Sequence, residues 1–210
     1  MEKTIVILAK SIKNGNFCIA GKDLNTKKWV RPVSDENGGA ITREQSKLTF
    51  HGAKYAPWDS DIFHKVKIDF STHSPLYFQP ENYVISGRPW LQDYHKAPPE
   101  ILFSLLDEPA TLWGDNSFKI HQSVIWHGVD ASLYLVYVQD MNLYKNDKGK
   151  RKVDFIYNNV KYNNFSCTDP NFDYLINKQN RYHKAILCLS LGELFESDNC
   201  HYKIVASIFI

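Results

Sequence analysis

The chain is poor in the features that announce most functions. Its four cysteines (Cys18, Cys167, Cys188, Cys200) stand far apart among 210 residues, so neither a zinc ribbon nor a disulfide-dense secreted scaffold is available, and reduced, mostly buried thiols are expected. The eight histidines form no His-Glu-x-x-His pattern. No phosphate-binding P-loop and no Rossmann glycine fingerprint occurs, so no metal site and no cofactor is read from the sequence. Ser190-Leu-Gly-Glu193 places a serine near a carboxylate but lacks the Gly-x-Ser-x-Gly elbow, and Ser190 is not assigned as a nucleophile. With no catalytic motif, the reading leans away from an enzyme and leaves that question open. The N-terminal apolar run, Thr4 to Ala9, is only six residues long, too short for a signal peptide or a membrane helix. A cytoplasmic protein of a prokaryotic-type cell is expected. The 25 Lys and Arg against 23 Asp and Glu leave a formal charge of +2, so a polyanionic partner requires a local basic patch.

What is abundant is strand signal. From Asp61 to Phe70, residues Ile62, His64, Val66, Ile68 and Phe70 share one face while Phe63, Lys65, Lys67 and Asp69 take the other, the period-two pattern of a half-buried strand. Similar runs are Ser132 to Val138, Val153 to Tyr157, Val160 to Ser166, Ala185 to Leu191 and Tyr202 to Ile210. Asn158-Asn159 reads as a tight hairpin, since asparagine tolerates positive backbone angles. At the N-terminus a strand over Thr4 to Ala9 leads through a polar turn at Lys10, Ser11 and Lys13 to Cys18-Ile-Ala-Gly21, then to Lys28-Trp-Val-Arg-Pro-Val-Ser34. Helix is scarce. The best candidate is Pro98 to Leu106, with an apolar stripe at Ile101, Leu102, Leu105 and Leu106. It falls near mid-chain, between two strand-rich halves each of the size of a small barrel or sandwich.

Periodicity does not choose among sandwiches, SH3-like barrels and OB barrels. Several fragments do. Cys18-Ile-Ala-Gly21 with Trp29-Val-Arg-Pro-Val-Ser34, Gln79-Pro-Glu-Asn-Tyr-Val-Ile85, Leu112-Trp-Gly114, Phe155-Ile-Tyr157 with Tyr162, Thr168-Asp-Pro170, Leu189-Ser-Leu-Gly-Glu193 and Tyr202-Lys-Ile-Val205 together resemble the prokaryotic dual-OB-domain family. The resemblance spans nearly the whole chain. It implies a mainly β protein of two OB-like β-barrel units joined through a short helical segment: an N-terminal barrel over 1–95, a connector over 96–112 and a C-terminal barrel over 113–210. It also implies nucleic-acid or nucleotide binding, in prokaryotic conflict or nucleic-acid-processing systems.

In an OB barrel of the second half, Lys145-Asn-Asp-Lys-Gly-Lys-Arg-Lys152 is the loop between the first two strands, which such barrels use on single strands. Lys145, Lys148, Lys150, Arg151 and Lys152 outweigh Asp147, and Tyr144 supplies a ring beside them. The same run also fits a solvated hairpin tip whose lysines prevent edge aggregation. In the first half Arg31 sits within an apolar strand, where its five-donor fork needs a partner. One reading is an anion or nucleotide pocket at the junction of the barrels, made by Ser11, Lys13, Arg31, Ser34, Gln79, Asn82 and Asp169. The other is an ion pair of Arg31 with Glu36 or Glu81. Gln79 to Asn82 and Thr168 to Pro170 also fit simple turn architecture. Three functions remain: a single-stranded DNA or RNA binding module working with a separately encoded partner enzyme, a nucleotide sensor or enzyme, and an adaptor that binds protein.

Overall fold

The computed structural model describes residues 1–13, 15–50, 56–93 and 95–210. The chain divides into two compact units, Met1–Leu105 and Leu106–Ile210.

In the first unit the strands are β1 (Glu2–Lys13), β2 (Asn16–Asp23), β3 (Trp29–Val33), β4 (Lys47–Thr49), β5 (Trp58–Asp59), β6 (Lys65–His73), β7 (Asn82–Ile85) and β8 (Trp90–Gln92), followed by the single helical turn α1 (Ile101–Ser104). Five of them close a ring in the order β1, β2, β3, β7, β6 and back to β1. All its pairs are antiparallel except β3 with β7. Strands β8, β4 and β5 extend this sheet from β6. The interior is chiefly aliphatic, with Ile5, Ile7, Ile19, Val30, Ile41, Val66, Ile68 and Ile85 packed around Phe70 and Trp90. The alternation of β6 appears as expected, with Val66, Ile68 and Phe70 buried.

The polar residues after Ala9 do not form the expected turn. β1 runs on to Lys13, with Lys10 opposite Ile19 and Ser11 opposite Cys18. Strand pairing satisfies the main chain whatever the side chains are, so polarity alone does not end a strand whose partner continues. Glycine is required at Gly21, where a Cβ would lie 2.2 Å from the Val6 carbonyl oxygen, beside an irregularity in the β1–β2 register.

The second unit contains β9 (Lys119–His121), β10 (Leu133–Lys145), β11 (Arg151–Tyr157), β12 (Val160–Cys167), α2 (Phe172–Lys178), β13 (Arg181–Phe195) and β14 (Cys200–Phe209). Here the ring runs β10, β11, β12, β14, β13 and back to β10, and only β12 with β14 is parallel. Counted within each ring, both units have strand order 1-2-3-5-4-1 with strands 3 and 5 parallel. A closed five-stranded barrel of this kind is an OB fold. The Asn158-Asn159 turn joins β11 to β12 with φ of 49° and 61°, the left-handed pair that a two-residue hairpin needs. The interior is aromatic: Phe155 stacks on Tyr162 at 5.4 Å between centroids, and Phe165 meets both edge-on at 5.2 and 6.0 Å.

The helix expected over Pro98 to Leu106 is shorter. At its end the Lys22 ammonium, itself buried, donates to the Leu105 carbonyl at 2.6 Å. Two residues on, Asp107 has joined the second unit, exchanging bonds of 2.7 and 2.8 Å with the main chain of Leu135.

Candidate functional site

The basic segment is the loop between the first two strands of the second barrel. Asn146 shapes it: its Oδ1 accepts from the amides of Lys148 (3.1 Å) and Lys150 (2.9 Å), and Gly149 turns with φ of 69°. The tip is thereby fixed, with Lys148 and Lys150 exposed. Among the described residues neither side chain has a partner.

The other cations are engaged. Lys145 reaches Asp173 on α2 at 2.9 Å, and Arg151 binds the other oxygen of the same carboxylate. Lys145 and then Arg151 hold the Asp173 carboxyl below its usual range. Arg151 also donates to the Asp169 carbonyl at 3.2 Å and lies 5.7 Å from the Phe172 ring. Lys152 turns inward, 8% exposed, and donates to the Asn164 carbonyl (3.1 Å) and Ser166 Oγ (3.2 Å). Burial lowers its pKa. The Tyr144 hydroxyl donates to Asp154 at 3.1 Å, and burial with that neighbouring charge pushes its pKa up to about 12. Of the six residues expected at this interface, Lys148 and Lys150 are exposed and unpaired among the described residues, while four build the loop's base.

Beside that base an open groove of about 520 Å³ crosses the outer face, lined among others by Asn142, Asp154, Ile156, Lys161, Arg181 and His183. A bulge shapes it. The β10–β11 register passes from Gln139 opposite Ile156 to Asn142 opposite Asp154, and Asp140 absorbs the extra residue with φ of 46°. Such bulges bend a strand and re-aim its side chains. Lys161, Arg181 and His183 are exposed along the groove. Asp154 Oδ1 already accepts from Tyr144 and from the Asn164 amide (2.7 Å), and Asp140 lies 3.5 Å from His183. The sequence alone did not single out Lys161, Arg181 and His183, because they come from two separate strands, β12 and β13. The available signal was the alternation at Arg181-Tyr182-His183, where Tyr182 is buried between two exposed neighbours.

In the first barrel the structure brings Arg31, Ser34, Gln79 and Asn82 to the seam between β3 and β7. Arg31 pairs in register with Asn82, and its amide donates to the Glu81 carbonyl at 2.8 Å. Gln79 Oε1 accepts from Asn82 Nδ2 at 3.3 Å, beside Gly38. Asn82 is fully buried, and among the described residues its Oδ1 has no hydrogen-bond partner. Ser34 instead donates to Asp35 at 3.0 Å. Ser11 lies in the β1–β2 ribbon, and among the described residues no hydrogen bond joins it to this group. Lys13 ends β1, and its side chain lies outside the described residues.

Asp169 belongs to the second unit, where its role is structural. Its carboxylate accepts from the amides of Asn171 and Ile208, both at 2.6 Å, pinning the start of α2 to β14. Burial raises its pKa against the pull of those two amides. Among the described residues no group of three or more His, Cys, Asp or Glu is arranged to hold a metal ion, and no helix is long and apolar enough to cross a membrane.

No curated protein and no solved structure matches this chain significantly. The family model of the dual OB-containing domain matches residues 3–208, nearly the whole sequence and both five-stranded rings, and the chain belongs to that family.

Proposed function

We propose that this protein is a binding module for single-stranded nucleic acid, DNA or RNA, and that the second barrel carries the contact and presents the strand to a separately encoded partner enzyme. One observation carries the reading: the loop between the first two strands holds Lys148 and Lys150 exposed and, among the described residues, without partners, next to an open groove edged by Lys161 and Arg181. OB barrels bind strands with this loop and the adjoining face. Lysines that neutralise phosphates release counterions, so affinity falls steeply with salt. The test is fluorescence polarisation of a labelled single strand at several salt concentrations, with free mononucleotide as competitor. Lys148→Glu with Lys150→Glu is expected to weaken binding by more than about tenfold and to flatten the salt dependence. Salt-insensitive binding, or binding unchanged by this pair, contradicts the reading.

A second reading is favoured by the buried Asn82 Oδ1, an acceptor without a donor among the described residues. A nucleotide whose base offers an N–H would satisfy it in the first barrel, with Arg31 and Ser34 near its phosphate. This reading expects mononucleotides to raise the melting temperature, and the loop pair to leave that effect intact. No shift with any mononucleotide contradicts it.

A further inference from the structure

Helix α2 does more than steady the basic loop. It is itself held at three points: Phe172 is fully buried, the Asp169 carboxylate accepts from the amides of Asn171 and of Ile208 on β14, and the Tyr182 hydroxyl donates to the Leu175 carbonyl at 2.9 Å. Asp173 then ties the helix to Lys145 and Arg151 at the base of the loop. Loop and helix form one built surface.

Tyr174 follows Asp173 and points about 100° further round the helix. It is 68% exposed, and among the described residues its hydroxyl makes no hydrogen bond and its ring touches no other ring. A single open ring needs no explanation by itself. This one is set apart by its company. Lys178, four positions on, shares its face of the helix; it is exposed and, among the described residues, has no partner. Lys148 and Lys150 stand at the tip of the loop to which Asp173 ties the helix. Against these three cations the loop and helix expose Asp147, while Asp173 is engaged by Lys145 and Arg151 and Asp169 is buried. Asn171 and Asn177 are exposed as well. Tyr174 is therefore an isolated ring among cations and amides, not part of an apolar patch that a protein partner would bury.

We propose that Tyr174 stacks on a base of the bound single strand and that Lys178 holds the phosphate beside that base. Every base has a flat π-face, so such a contact adds affinity with little sequence preference. A tyrosine has only two side-chain torsions, and on an anchored helix it loses little freedom when it stacks. The inference rests on strand binding by the second barrel, and it adds a contact to the bases where the loop lysines supply contacts to phosphate.

The test titrates the whole chain by fluorescence polarisation with two labelled probes of equal length, a mixed-sequence single-stranded DNA and a deoxyribose-phosphate chain without bases. Tyr174→Ala is expected to weaken the DNA at least about fivefold and to leave the abasic chain unchanged, whereas Tyr174→Trp keeps the parent affinity for both. Lys178→Ala is expected to weaken both probes alike and to lower the slope of log affinity against log salt by about 0.7. The stacking contact is refuted if Tyr174→Ala binds the DNA as the parent does, or if it weakens both probes equally. The phosphate contact is refuted if Lys178→Ala changes neither probe. Lys148→Glu with Lys150→Glu separates this inference from the reading beneath it. If that pair weakens the DNA while Tyr174→Ala does not, the interface stands and the inference falls; if the parent chain binds neither probe, the interface itself falls and the inference with it.

Discussion

The two barrels share one ring order and differ in almost everything that the ring leaves free. In the first, β1 ends at Lys13 and β2 begins at Asn16; in the second, five residues separate β10 from β11 and carry Lys148 and Lys150. Between ring strands three and four the first barrel inserts β4, β5 and a short 3-10 turn (Glu44–Ser46), whereas the second inserts only α2. That helix supplies Asp173, the carboxylate that steadies Lys145 and Arg151 at the loop's base. The interiors differ as well, branched aliphatics in one and a three-ring aromatic cluster in the other. So do the polar groups. The first barrel buries Gln79, Glu81 and Asn82 at its seam, while the second exposes Lys148 and Lys150 at a loop tip. Closing the ring fixes the main-chain hydrogen bonds, and loops and faces can then diverge without loss of fold.

The comparison is tested most forcefully in the interiors. Phe165→Ala removes one ring of the aromatic cluster and is expected to cost about 3 to 5 kcal/mol in urea unfolding. A cost under about 1 kcal/mol would show that the cluster does not hold the second barrel together. The glycines come next. A Cβ at Gly21 collides with the Val6 main chain, while at Gly192 the nearest atoms are 3.2 Å away, the Ile204 side-chain tip and the Tyr202 carbonyl oxygen. Gly21→Ala is expected to destabilise by about 3 kcal/mol and Gly192→Ala by less than about 1 kcal/mol. Equal melting temperatures for the two variants would erase this distinction.

Within the basic loop, Lys150→Ala and Lys152→Ala separate binding from structure. The first is expected to weaken a single strand about threefold with unchanged melting temperature. The second is expected to lower stability by about 1 to 2 kcal/mol, because the Asn164 carbonyl and Ser166 lose their donor. Opposite outcomes in polarisation and calorimetry would reverse the roles assigned here. The smallest effect is on acid stability. Burial lowers the pKa of His64 in the first barrel, with Lys96 adding to it, and burial also lowers that of His201 in the second. In each case the unfolded chain binds more protons between the lowered value and the ordinary 6.5, so stability is lost as pH falls below 6.5 through the folded value. The two differ in detail. His64 Nδ1 accepts the Asp61 amide at 3.1 Å, a bond that protonation breaks, whereas His201 Nδ1 faces the Gly192 carbonyl at 2.8 Å and keeps that bond when charged. Acid unfolding is therefore expected to soften more in His64→Gln than in His201→Gln.

Strands were legible where burial on one face forced alternation, as in β6, and where Asn158-Asn159 marked a hairpin. The family fragments supplied the ring order that alternation lacks. The end of β1 was not legible, since whether Lys10 to Lys13 continue a strand depends on the partner β2. The basic loop was visible as composition, but composition does not say which lysine points inward. That follows from the pleat, which sets Lys152 against Ser166. The groove was invisible because Asn142, Lys161 and Arg181 meet only after four strands, β12, β11, β10 and β13, pair around a bulge. Asp169 was noticed for its proline neighbour, yet its partner Ile208 lies 39 positions away.

Hydrogen exchange of the whole chain with and without a saturating single-stranded oligonucleotide tests directly which barrel binds. Protection is predicted in peptides covering the loop from Lys145 to Lys152 and the groove strands around Asn142, Lys161 and Arg181, with the β3–β7 seam unchanged. Protection centred on Arg31, Gln79 and Asn82, or none in either barrel, would contradict the assignment of the interface to the second barrel.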